Sequence, residues 1–119
     1  MKKYQITIQV KDASPQNLAM VAPLVGKTLS GLSRSAPELC FRSKLGDLFG
    51  YVITSEKNAG QIRAAIEAPG PRFKIGDGPI LSGDDKLMVV ELGNDFSCGV
   101  GYTRFGVWFQ RRTLEAQGQ

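Results

Sequence analysis

The chain has 119 residues, 42% of them apolar and 22% charged, with a net charge of +4, which is the range of one ordinary domain with a single core. It has no histidine, so the usual general base, the commonest transition-metal ligand and every Ser-His or Cys-His nucleophile are excluded. Cys40 and Cys98 show no metal-binding spacing and are too few for a disulfide scaffold, so they read as a pair of thiols.

The chain opens on Met-Lys-Lys, but the YQITIQV that follows alternates instead of forming an apolar signal segment. The apolar-rich stretch from Leu18 to Val25 is far shorter than the roughly 20 residues that span a bilayer. These features imply a cytoplasmic protein with no membrane partner. The positive charge permits nucleic acid as a partner, but no basic run concentrates it.

Tyr4, Ile6, Ile8 and Val10 alternate with Gln5, Thr7, Gln9 and Lys11, the period of a strand with one buried face. Ser14 and Pro15 form an N-cap with proline at the first helical position. Leu18, Val21, Ala22, Val25, Leu29 and Leu32 follow at helical spacing, predicting a helix over 15–32. Pro23 lies within it and predicts a kink or a short break.

The runs near 39–43 and 48–54 flank SKLGD, which predicts a hairpin turning at Gly46 with Phe41, Phe49, Tyr51 and Ile53 facing inward. Asn58 with Gln61 resembles a capping box ahead of a helix over 59–68, whose buried stripe is Ile62, Ala65 and Ile66. Pro69, Gly70 and Pro71 stop it. The Gly/Pro-punctuated stretch 72–83 carries Phe73, Ile75, Ile80 and Leu81 as apolar anchors, and 86–92 reads as a strand.

The order strand, helix, strand, strand, helix, strand is the split βαβ pattern of an α+β, ferredoxin-like fold. It implies an antiparallel four-stranded sheet, both helices on one face, and an open second face bearing Gln5, Thr7 and Gln9. The whole of 1–119 reads as one such domain with an extension from about 100. In the extension, Phe105, Trp108, Phe109 and Arg112 fit a helix beginning after Thr103, whereas Phe105, Val107 and Phe109 also alternate as a strand would.

The segments YQITIQV at 4–10, NAGQIRAAI at 58–66 and DDKLMVVEL at 84–92 together resemble the small ferredoxin-like CRISPR-associated adaptor-nuclease superfamily, whose relatives include small antitoxin ribonucleases. The resemblance implies a dimer in which an acid near the end of the first strand holds a metal beside nucleic acid. At the matching position this chain has Gln9, a poor substitute for an anionic Mg²⁺ ligand. Asp12, three residues on, is the alternative metal ligand.

The densest acidic stretch is GDDKLMVVELGND at 83–95. Asp84 and Asp85 precede the apolar strand and Asn94 and Asp95 follow it, positions at which these side chains punctuate turns. Asp85 and Asp95 would stand roughly 30 Å apart on an extended chain, too far to share one ion. Glu91 reads as an open-face or edge position. Gly76-Asp77-Gly78 and Gly99-Val100-Gly101 lack the remainder of a phosphate-loop or dinucleotide motif and read as turns. Cys40 shares strand parity with Arg42 and Lys44 and reads as a half-buried, inert thiol.

No catalytic residue, cofactor or metal set is implied by the residues themselves. The interaction candidates are Gln5, Thr7 and Gln9 on the open face and Arg104, Phe105, Trp108, Phe109, Arg111 and Arg112 in the extension, an aromatic and arginine mixture suited to a protein interface or to nucleic-acid stacking. The leading expectation is a non-catalytic binding module acting as a homodimer, with a further protein partner possible. The alternatives are a nucleic-acid-binding protein or metal-dependent ribonuclease using Asp12, and a small-molecule binding domain with its pocket under 72–83.

Overall fold

The structure, a computed structural model, describes residues 1–68 and 80–93. Its elements run β1 (Lys2–Gln9), α1 (Pro15–Leu32), β2 (Glu38–Arg42), β3 (Leu48–Ser55), α2 (Ala59–Glu67) and β4 (Lys86–Leu92). The strands form one sheet in the order β2-β3-β1-β4, antiparallel at every pairing, with β1 in the interior. This is an α+β architecture compatible with a ferredoxin-like fold.

Alternation along β1 places Tyr4, Ile6 and Ile8 in one core with Val21, Val25 and Leu29 of α1 and with Ile62 and Ile66 of α2. Both helices therefore cover the same face. Phe49 and Ile53 of β3 complete this layer, and Leu87 and Val89 of β4 pack against it. Tyr51 meets Phe49 edge to face at 6.0 Å and donates from its hydroxyl to the Ala22 carbonyl at 3.4 Å; burial pushes its pKa up. Its hydroxyl lies against Gly26, where an added Cβ would stand only 3.2 Å away.

Local signals act where the sequence places them. The Ser14 side chain accepts the Asn17 amide and Pro15 opens α1. Asn58 and Gln61 form a reciprocal capping box, the Asn58 side chain accepting the Gln61 amide at 2.8 Å and the Gln61 side chain accepting the Asn58 amide at 2.9 Å. Gly46 adopts φ +85°, the left-handed conformation the hairpin requires, and Ser43 ties the turn by donating to Asp47 Oδ1 at 2.8 Å and accepting the Leu48 amide at 3.1 Å.

Two expectations are corrected. First, the break expected at Pro23 is absent, α1 running without interruption from Pro15 to Leu32. Pro23 and Ala19, whose carbonyl loses its helical donor, are both exposed, so water can replace the missing bond.

Second, Phe41 does not face the helices. The β2–β3 register shifts between Leu39 and Phe41, leaving Phe41 opposite Gly50. A Cβ built on Gly50 would lie 2.2 Å from the Phe41 ring, and Gly50 points away from its core-facing neighbours Phe49 and Tyr51. The ring therefore covers Gly50 on the sheet's second face, because one irregular residue reverses the side that all later residues occupy.

The end of β3 also catches the end of α1. Ser55 Oγ donates to the Leu32 carbonyl at 2.7 Å, and the Thr54 carbonyl accepts from Ser33 Oγ at 3.1 Å and the Arg34 amide at 2.8 Å. These bonds satisfy groups that a helix terminus leaves unpaired.

Candidate functional site: the second face of the sheet

The strand register sets out the face turned away from the helices in rows. Thr7 stands between Gly50 and Met88, Gln5 between Val52 and Val90, Gln9 between Leu48 and Lys86, and Lys3 between Thr54 and Leu92. Phe41 extends the first row and Glu38 the second. Gln5, Thr7 and Gln9 are thus brought together as the sequence implies, in the central strand β1, with Gln5 Nε2 donating to Thr7 Oγ1 at 3.5 Å.

Exposure is uneven across this face. Val52 and Thr54 on β3 are only 0% and 3% exposed, whereas Met88 and Val90 on the edge strand β4 are 58% and 44% exposed. Thr54 is engaged by the connection after α1, its Oγ1 lying 3.3 Å from Ser35 Oγ. A half-polar middle bounded by exposed aliphatic and thioether groups at one edge provides hydrogen-bonding groups and apolar area, the ingredients of a contact surface. Among the described residues it holds no pair of carboxylates for acid-base chemistry, and its charged groups there are Lys3, Lys86 and Glu38.

The acids lie elsewhere and have structural partners. Asp85 Oδ1 accepts the Lys11 amide at 2.9 Å and Oδ2 accepts the Ser82 amide at 2.9 Å. The turn reading therefore holds for Asp85, and one oxygen also ties the start of β4 to the end of β1. Sequence reasoning missed that tie, since nothing local pairs positions 74 residues apart. Asp12 Oδ1 accepts the Ser14 amide at 3.0 Å, and the Asp12 carbonyl accepts from Asn17 Nδ2 at 2.8 Å, so Asp12 shapes the entry to α1. Glu91 sits on the edge strand and pairs with Lys2 at 3.6 Å, both side chains being exposed. Among the described residues, no group of three or more His, Cys, Asp or Glu is placed to hold a metal ion.

Cys40 is 7% exposed, more deeply buried than the half-buried position expected of it. Among the described residues, an open cleft of about 500 Å³ is lined by Glu67, Leu81, Ser82, Gly83, Asp85, Lys86 and Leu87. Its lining includes Asp85, both of whose oxygens are already bonded. Ile80 and Leu81, expected as apolar anchors, are buried in the core.

Arg104, Phe105, Trp108, Phe109, Arg111 and Arg112 lie outside the described residues, as do Phe73, Ile75, the 76–78 turn, Asn94, Asp95, Cys98 and the 99–101 turn. Among the described residues, no helix is long and apolar enough to cross a membrane. The chain matches no family model, no curated protein and no solved structure. What is established is therefore the α+β architecture of a four-stranded antiparallel sheet and two helices.

Proposed function

We propose that the chain is a non-catalytic binding module of ferredoxin-like βαββαβ fold, a cytoplasmic homodimer that acts through the second face of its sheet. The order β2-β3-β1-β4, antiparallel throughout, with both helices in one core, supports the fold. The observation that carries the function is the composition of the second face: Gln5, Thr7 and Gln9 form a polar row beside Met88 and Val90, which are 58% and 44% exposed. Arg104, Phe105, Trp108, Phe109, Arg111 and Arg112 join the reading on sequence grounds, being residue types that commonly anchor contacts.

Light scattering at micromolar concentration, on the intact chain and on Trp108→Ala, tests the reading. The expected result is a dimer whose mass falls in the variant. A monomer would remove the homodimer; a dimer whose mass is unchanged in a destabilised Trp108→Ala would confine the tail to completing the core. Mg²⁺-dependent cleavage of single-stranded RNA that disappears in Asp12→Ala would replace this reading with a ribonuclease of the resembled superfamily. Asp12 Oδ1 already accepts the Ser14 amide at the entry to α1.

A further inference from the structure

The sheet has two edges, and they are built differently. β2 has five residues and a register irregularity between Leu39 and Phe41. Such a bulge twists an edge away from further pairing, one of the devices that blunt exposed edges. β4 has seven residues, and every one is paired with β1 in unbroken register, from Leu92 opposite Lys3 to Lys86 opposite Gln9. Among the described residues, no strand lies on its other side.

A regular edge strand presents a row of main-chain donors and acceptors. The exposed apolar surface of the second face is also concentrated here, at Met88 and Val90. From this geometry we infer that β4 is the seam of the homodimer: two copies of the chain join antiparallel, edge to edge, about a two-fold axis at Val89. This rests on the homodimer reading and names the place where the copies meet.

The side chains of β4 suit that register. In an antiparallel pair, residues opposite each other share a face. With Val89 opposite the partner's Val89, Met88 stands opposite the partner's Val90, and the two copies of this pair close one apolar strip across the seam. Leu87 stands opposite the partner's Glu91, and Lys86 opposite the partner's Leu92. No like charges oppose each other. Moving the axis to Lys86 or to Glu91 would set that charge against its own copy, which is destabilising. The result is one eight-stranded sheet in which the rows containing Gln5, Thr7 and Gln9 from both copies lie side by side as a continuous surface.

The test uses the intact chain in two measurements. Amide hydrogen exchange across a dilution series, with mass followed in parallel, is expected to show protection in 86–92 that rises as the mass doubles. The double variant Met88→Lys/Val90→Lys, which brings lysines from both copies together at the seam, is expected to weaken dimerisation at least tenfold while circular dichroism stays unchanged, since both positions are exposed. Leu45→Lys, in the hairpin turn and 72% exposed, is the control and is expected to leave dimerisation unaltered.

A dimer in which protection of 86–92 does not depend on concentration would overturn the seam and leave the homodimer reading standing. So would a double variant that dimerises like the parent, or a Leu45→Lys variant weakened to the same degree. A chain that is monomeric throughout would overturn both.

Discussion

The two faces of this sheet differ in what decides their residues. On the helix-covered face, Tyr4, Ile6 and Ile8 are 1%, 0% and 0% exposed and share one core with both helices. On the other face, the same strand offers Gln5, Thr7 and Gln9 beside residues as different as Val52, 0% exposed, and Met88, 58% exposed. Burial dictates the first face through apolar transfer. The second carries no uniform pattern, mixing polar side chains with apolar ones of very different exposure.

The largest effect that tests this contrast comes from adjacent positions on β1. Ile6→Ala should destabilise the chain by about 3 kcal/mol through lost transfer energy and a residual cavity. Thr7→Ala should change stability by less than about 0.5 kcal/mol, as surface substitutions usually do. Chemical denaturation of the two variants gives the comparison, and similar losses would show that the second face is also packed as a core.

That difference explains how far the sequence could be read. The period-2 pattern of 4–10, the Ser14-Pro15 start, the Asn58-Gln61 box and the glycine at 46 are local signals, and each acts in the structure as its local chemistry requires. Phe41 was misplaced because nothing in its immediate sequence marks the register shift before it. The Asp85 tie to Lys11 and the Ser55 hold on Leu32 escaped notice because both join residues far apart in the chain. Of the candidate site, the Gln5, Thr7 and Gln9 row was legible from alternation alone. Its neighbours Met88, Val90 and Val52 required the register, which sequence periodicity does not supply.

Gly50 offers the next test, on the boundary between the second face and the edge strand β2. Gly50→Val should cost about 1–3 kcal/mol by overpacking against the Phe41 ring. A double-mutant cycle with Phe41→Ala should recover part of that loss. Full additivity would mean that the ring does not lie over this glycine.

A smaller loss is expected at the turn. Asp85→Ala removes the acceptor for two main-chain amides and should cost about 1–2 kcal/mol. Asp84→Ala, at an exposed position, should cost less than about 0.5 kcal/mol. Thermal melts of the pair would read the difference, and equal effects would contradict the assignment of Asp85 as the residue that fastens β4 to the end of β1.

The central claim is that the chain pairs with another copy of itself. Sedimentation equilibrium of the intact protein in the micromolar range tests it most directly. The account predicts a concentration-dependent mass approaching twice the 12.9 kDa of the single chain. A mass of 12.9 kDa at every concentration would contradict it.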